Sequence, residues 1–313
     1  MKIEDLQYDL SPKPPVNEKK WNKEQWVTEH PIDYYKMMYV LYQIENSFLQ
    51  ESAFKRLYEI IRLYIPDTLY KYYSLSEDAD SNAKRFDTLA NRQIYLAEIS
   101  GFNDPFDSKS FFYQPSRITN AESQPCFDDR VIDDFTAFIR SAALSANGVQ
   151  SMPMWAHYGN NHTGFCASYD MKNNSELSMS TFPVQYTDKR LDISCIMDNY
   201  IQKLYEAVEQ DIDMDFESVF RNDMRIIYAT LLLNNVKHSS WSYENEFRCT
   251  LASNSTGVPF IEATPKEIYI GMKCSEKDTN QLKTIGNQLN IPVYKMYFDD
   301  YSHEYRLKLR SLN

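Results

Sequence analysis

Trp241-Ser-Tyr-Glu-Asn-Glu-Phe-Arg-Cys-Thr-Leu251 is the stretch in which polar and apolar residues alternate most cleanly. Glu244, Glu246, Arg248 and Thr250 fall on one side of an extended chain, and Phe247, Cys249 and Leu251 on the other. A period of two specifies a strand with its apolar side turned to a core. The polar side is expected to be open and to carry two carboxylates and a guanidinium. Side chains at i and i+2 stand about 7 Å apart along a strand. Glu244 and Glu246 therefore repel each other, which favours a proton on one of them, and Arg248 offsets this. Such a pair suits acid/base work or stabilisation of a developing cation. The plainer alternative is an exposed ion pair, which stabilises little.

Working outward from this strand, further β-type runs occupy 69–73, 93–97, 164–169, 184–186, 267–270 and 292–297. Helical periodicity marks 33–64, 128–146, 195–235 and 276–289. In the last of these, Ser275 precedes Asp278 by three residues as a helix cap, and Leu282, Ile285 and Leu289 form the buried stripe. Residues 1–31, punctuated by Pro12, Pro14, Pro15 and Pro31, read as an extended arm. Strands mixed with helices, without regular alternation, define an α+β fold: a helical N-terminal region over 1–66, stopped by Pro66, and a mixed or antiparallel β core with helices over 67–313.

The chain has 313 residues, with 33 Lys and Arg against 44 Asp and Glu, a net charge of −11. This acidity argues against broad, non-specific nucleic-acid binding. Aromatic residues make up 14% of the chain, too many for a polar coil. No apolar run is long enough to span a membrane. The first twenty residues lack the apolar core of a signal peptide, and the five cysteines form no CxxC pair, so a cytoplasmic location is expected. With 7 glycines and neither a GxGxxG nor a P-loop pattern, the usual phosphate cradles are missing.

Three more segments carry unusual chemistry. Leu69-Tyr-Lys-Tyr-Tyr-Ser74 puts Leu69, Lys71 and Tyr73 on one side of a strand and Tyr70, Tyr72 and Ser74 on the other. Lys71 either grips a phosphate or carboxylate, or covers aromatic surface with its stem. Gly101-Phe-Asn-Asp-Pro-Phe-Asp107 is a turn, with Phe102 and Phe106 as expected anchors. Asn103, Asp104 and Asp107 either converge on a ligand or satisfy one another. Met154-Trp-Ala-His-Tyr-Gly-Asn-Asn-His-Thr-Gly-Phe-Cys166 concentrates Trp155, His157, Tyr158 and His162 around a Gly159-Asn160-Asn161 turn that tolerates positive φ. The five-residue spacing of the two histidines is not that of a helical zinc pair, and no metal is expected. A pocket wall competes here with a pair of hydrogen-bonded buried histidines. A run of acids from Glu206 to Glu217 reads as a solvated surface.

KYYS, FNDPFD, MWAHYGNNHTGFC, WSYENEFR and EIYIGMKCSE, in this order, resemble a bacterial domain-of-unknown-function family with FNDPFD and MWxHYxxxHxGF boxes, over about residues 68–298. More distantly, the layout is similar to the ADP-ribosyltransferase fold. That likeness implies NAD as substrate, with Lys71 and Tyr72 in the first motif, Tyr95 in the second and Glu246 in the third. Glu246 would stabilise the positive charge that builds on the ribose, and Glu244 would activate the acceptor, a protein or nucleic acid. Trp155, Tyr158 or Tyr95 would stack on a ring of the substrate, and Lys71, Arg248 or His157 would meet its phosphates. Asn103, Asp104 and His162 complete the candidate substrate-binding set. ADP-ribosyl transfer or NAD hydrolysis, as in a toxin or defence effector, is thus the leading expectation. A binding protein without turnover is the alternative, and a metal-dependent nuclease using His157, His162, Asp104 and Asp107 is the third reading.

Overall fold

The computed structural model describes residues 22–44, 47–107, 109–119, 139–209, 224–252 and 260–312. In chain order the elements are α1 (Lys23–Glu29), α2 (Tyr34–Tyr42), α3 (Ser47–Tyr64), β1 (Thr68–Tyr73), α4 (Ala79–Ala90), β2 (Gln93–Tyr95), β3 (Ala97–Glu98), β4 (Phe111–Phe112) and β5 (Ile139–Ser145). Next come α5 (Met152–His157), β6 (Phe165–Asp170), α6 (Ser175–Met179), β7 (Thr181–Pro183), β8 (Gln185–Thr187), β9 (Leu191–Asp192), α7 (Ser194–Glu209) and α8 (Met224–Leu233). The chain ends with β10 (Val236–His238), β11 (Glu246–Ala252), β12 (Phe260–Glu262), β13 (Glu267–Ile270), α9 (Glu276–Leu289), β14 (Val293–Tyr297) and β15 (Lys308–Ser311). Helices with a mixed sheet make an α+β protein.

The chain divides into two interleaved units. The first comprises 1–64, 98–139 and 183–239; the second comprises 65–97, 140–182 and 240–313. The change of texture expected near Pro66 falls next to the passage from Tyr64 to Ile65, while two later segments group with the N-terminal helices.

The first unit packs α2, α3 and α8 together. Buried Met37, Met38 and Leu41 line one side of α2, and the Phe54 and Tyr228 rings stack between α3 and α8. Two short parallel ladders, β8 with β10 and β4 with β9, complete it. The expected extended arm is corrected in its described part. Lys23–Glu29 is a helix, because the Asn22 side chain accepts from the Glu24 and Gln25 amides and caps it. The rest of that arm, and most of the acidic run, lie outside the described residues.

The second unit is built on a sheet whose strands run in the order β15-β14-β13-β6-β1-β5-β11-β7. β13 and β14 are parallel, while β1 is antiparallel to both of its neighbours. One side of the sheet carries the main core: Leu69, Tyr73, Leu144, Phe165, Phe247 and Cys249, covered by Phe86 and Leu89 of α4 and by Leu282 and Ile285 of α9. The other side carries Cys166, Tyr269 and Met296 with Trp155 of α5. Burying some 25 apolar side chains on the first side stabilises this unit at about 1.5–3 kcal/mol each for the larger ones, before the loss of chain entropy.

α9 begins and ends where its sequence dictates. The Ser275 side chain accepts from the Asp278 amide, and the helix stops at Asn290 in a left-handed conformation. The helix expected over 128–146 is corrected where it is described: 139–145 is a strand inside the sheet. Its Ala142 and Leu144 face the main core, and the alternating Ser141 and Ser145 are buried on the other side. Pairing with neighbours on both edges outweighs the helical bias of its alanines.

Candidate functional site

β11 has the alternation read from its sequence, but not the open face. Phe247 and Cys249 enter the main core. Glu246, Arg248 and Thr250 are also buried, so both sides of the strand are covered. Arg248 grips Glu246 with two hydrogen bonds, Nε to Oε1 at 2.8 Å and Nη2 to Oε2 at 3.2 Å. With side-chain exposures of 0% and 4%, this is an interior ion pair rather than a surface one. Such a pair contributes little net stability against an apolar replacement, but removing one partner strands a buried charge.

Glu244 departs from the strand. It closes the short helical turn Ser239–Glu244, and Asn245, at φ 45°, swings the chain into β11. The carbonyl of Glu244 accepts from Ser145 Oγ at 2.6 Å. The Asn245 carbonyl accepts from the Ala146 amide at 3.0 Å, and the Tyr243 carbonyl accepts from Asn147 Nδ2 at 2.5 Å. The exit of β5 thus holds this turn in place. The Glu244 side chain is buried, and its Oε1 accepts from the Tyr158 hydroxyl.

Tyr158 sits at the end of α5. That helix is anchored by Trp155, which is fully buried and donates from Nε1 to the Val149 carbonyl at 2.8 Å. The Tyr72 ring meets Trp155 edge-on at 5.1 Å, and its hydroxyl donates to the Gly148 carbonyl at 2.6 Å. Burial holds the Tyr72 phenol protonated well above its usual range. The His157 ring lies 6.1 Å from that of Tyr243. The MWAHY segment and the WSYENEFR segment therefore converge at Tyr158 and Glu244.

A polar row crosses the sheet on this same side. Glu267 is opposite Ser168, Ser168 opposite Tyr70, and Tyr70 opposite Ser145. At one end Tyr269 donates its hydroxyl to Glu267. At the other, Ser145 reaches the Glu244 backbone. Burial pushes the Tyr70 phenol above its usual range, and Glu267 adds to that. Glu267, Ser168 and Tyr70 are absent from the sequence-based set. The signal for them was alternation in two strands already recognised, read from their polar side.

After Tyr158 the chain makes the left-handed turn that its Asn residues favour. Asn160, Asn161 and His162 have φ of 46°, 54° and 70°. The His162 ring stacks on Trp155 at 6.0 Å, and its Nδ1 is buried without a hydrogen-bond partner. Burial, with Lys273 nearby, lowers its affinity for a proton. Tight backbone crossings lock the loop. A Cβ on Gly164 would stand 2.0 Å from the Tyr73 carbonyl oxygen, and one on Gly271 2.3 Å from that of His162.

The remaining candidates lie elsewhere. Lys71 emerges from the main-core side of β1, opposite Tyr70 and Tyr72, and its Nζ is 5.3 Å from the Tyr73 ring centroid. Tyr95 is exposed on the separate β2–β12 ladder beside Phe260. Asn103 and Asp104 belong to the first unit. There the expected anchoring of the FNDPFD turn is corrected: Phe106 is exposed, while Asp104 and Asp107 are buried. Asp104 Oδ1 accepts the Phe106 amide at 2.9 Å, a short turn that draws the carboxylate inward and rotates the ring out. No group of three or more His, Cys, Asp or Glu among the described residues is arranged to hold a metal. No helix among them is long and apolar enough to cross a membrane. A hollow of about 440 Å³ beside Asn290 and Tyr294 contains none of the sequence-based candidates.

Strand β6 and most of α5 and β11 lie within a segment that matches a domain-of-unknown-function family. That family is the one described as "Protein of unknown function (DUF2971)", matched over residues 154–249. The match includes the MWAHY box and most of β11, and leaves Lys71 and the FNDPFD turn outside. No curated protein and no solved structure matches the chain.

Proposed function

We propose that the second unit binds a nucleotide of the NAD class and acts on its N-glycosidic bond, either hydrolysing it or passing ADP-ribose to an acceptor. The observation that carries this reading is the contact between Tyr158 and Glu244, which aims a buried carboxylate and a phenol at one point from two separate segments. Cleavage of such a bond builds positive charge on the ribose, and a carboxylate fixed beforehand stabilises it. Glu244 takes this role in place of Glu246, whose two oxygens are held by Arg248. Tyr158 orients Glu244. The half-buried Tyr70 and Tyr72 offer aromatic rings on the same side of the sheet.

The test is incubation with NAD, with and without protein or nucleic-acid acceptors, measuring free nicotinamide. Wild type releases it, and Glu244→Gln loses at least a hundredfold while keeping its far-UV circular dichroism. A folded wild type that releases none under any of these conditions removes the proposal. A role as a toxin or defence effector then predicts that production of the wild type arrests bacterial growth and that Glu244→Gln does not.

A second reading, recognition without turnover, is favoured by one observation: both carboxylates already have side-chain partners, Tyr158 for Glu244 and Arg248 for Glu246. It predicts a saturable rise in Tm with NAD and no nicotinamide.

A further inference from the structure

On the main-core side of the sheet two cations stand together. Lys71 of β1 is half-buried and has no hydrogen bond or ion pair among the described residues; its Nζ faces the Tyr73 ring. Arg85 of α4 has a buried Nη1 without any partner. The packing places them on the same side. Phe86, next to Arg85, lies 6.0 Å from Phe165, which stacks on Tyr73 at 4.6 Å. Lys71 and Arg85 are close enough to repel, and Glu246 acts on Lys71 from the other side of the sheet. Both oxygens of Glu246 are already committed to Arg248. The nearby thiol of Cys249 supplies no counter-charge, because burial pushes it up to about 12.

Glu246 and Arg248 offset each other, so Lys71 and Arg85 supply the positive charge on the main-core side, where the exposed Glu176 is a carboxylate acting on neighbouring Cys249. Unpaired cations withdrawn from water are costly, and a region that keeps two of them side by side is arranged for an anion. An ammonium beside a guanidinium offers a point charge and a planar fork, the combination that recognises phosphate oxygens. We infer that Lys71 and Arg85 form a binding site for a phosphate group, on the side of the sheet opposite to Tyr158 and Glu244. The site does not depend on the N-glycosidic reading and stands if that chemistry is absent.

The experiment titrates the full chain with inorganic phosphate, and separately with AMP, at constant ionic strength, following heat of binding and Tm. Wild type shows saturable binding and a rise in Tm with at least one of the two. The tighter of the two distinguishes a free ion from a phosphate ester. Lys71→Met and Arg85→Met each weaken binding at least tenfold, and Lys71→Arg retains most of it. In phosphate-free buffer Lys71→Met is at least as stable as wild type, since it removes an unpaired cation. The inference is overturned if wild type shows no saturable response to either anion. It is equally overturned if folded Arg85→Met responds as wild type does. In that case phosphate acts only as a general stabilising salt.

Discussion

The hydroxyl of Tyr158, at the end of α5, donates to the carboxylate of Glu244, in the turn that enters β11. These residues are 86 positions apart in the chain. The contact makes the geometry of Glu244 depend on α5, and hence on Trp155, which seats that helix.

Tyr158→Phe separates orientation from acid/base chemistry. It leaves the ring and removes one hydrogen bond. Under the proposed activity, nicotinamide release is expected to fall about a hundredfold, the lower end of the range for a single positioned donor, with a smaller change in KM for NAD. Activity equal to wild type would show that Tyr158 does not orient the reacting group.

Glu246 and Arg248 are expected to behave as one structural unit. Arg248→Met or Glu246→Gln alone leaves the other member buried and uncompensated, and each is predicted to cost about 3–5 kcal/mol in urea unfolding. The double variant is expected to recover most of that loss. A single-variant cost below about 1 kcal/mol would mean that the pair is hydrated in solution.

Lys71 gives the stability a pH dependence of known sign. Burial lowers its pKa from 10.5 to about 8. Between these values the unfolded chain holds a proton that the folded chain has released, so stability rises with pH across this window. Below about 8 both states are charged and the burial penalty is constant. The full gain is on the order of 3 kcal/mol. From about pH 7.5 to 9.5 the urea midpoint of wild type should climb relative to that of Lys71→Met, because the thiols of Cys166, Cys249 and Cys274, which burial pushes up, lower the stability of both proteins alike over this window. Parallel profiles for the two proteins would refute the assignment.

Gly271→Ala pushes a Cβ to within 2.3 Å of the His162 carbonyl oxygen, and Gly101→Ala meets nothing within 4 Å. The first is expected to lower stability by several kcal/mol and the second by less than about 0.5 kcal/mol. Thermal unfolding of the two variants side by side tests this difference.

Much of the fold was legible because its strongest elements are locally consistent. β11, β13 and α9 lie where period and capping place them, since Ser275, the Phe247–Cys249 alternation and the Ile268–Ile270 pair all agree with their final environment. β5 was not legible. Its Arg140-Ser-Ala-Ala-Leu core is helix-compatible, and only partners far away in the chain make it extended. At the candidate site, Trp155, Tyr158 and Glu244 stood in the sequence only as members of one candidate set, and the contact of Tyr158 with Glu244 comes from a turn that alternation does not reveal. The burial of Glu246 and Arg248 was not legible either, because alternation tells which side a residue is on and not what covers that side. Phe106 failed for a related reason: a ring in a turn is apolar, yet the Asp104 turn decides which way it faces.

The interleaving of the two units has a consequence for how the chain is made. The strands beside β1 are β5 and β6, and β11 follows from the last third of the sequence. On a ribosome, the helices of 1–64 emerge well before residues 183–239 that share their unit. No single cut releases either unit whole. Nascent intermediates must therefore keep unfinished apolar surfaces waiting, and this chain should lean on chaperones more heavily than one whose two units follow each other in line.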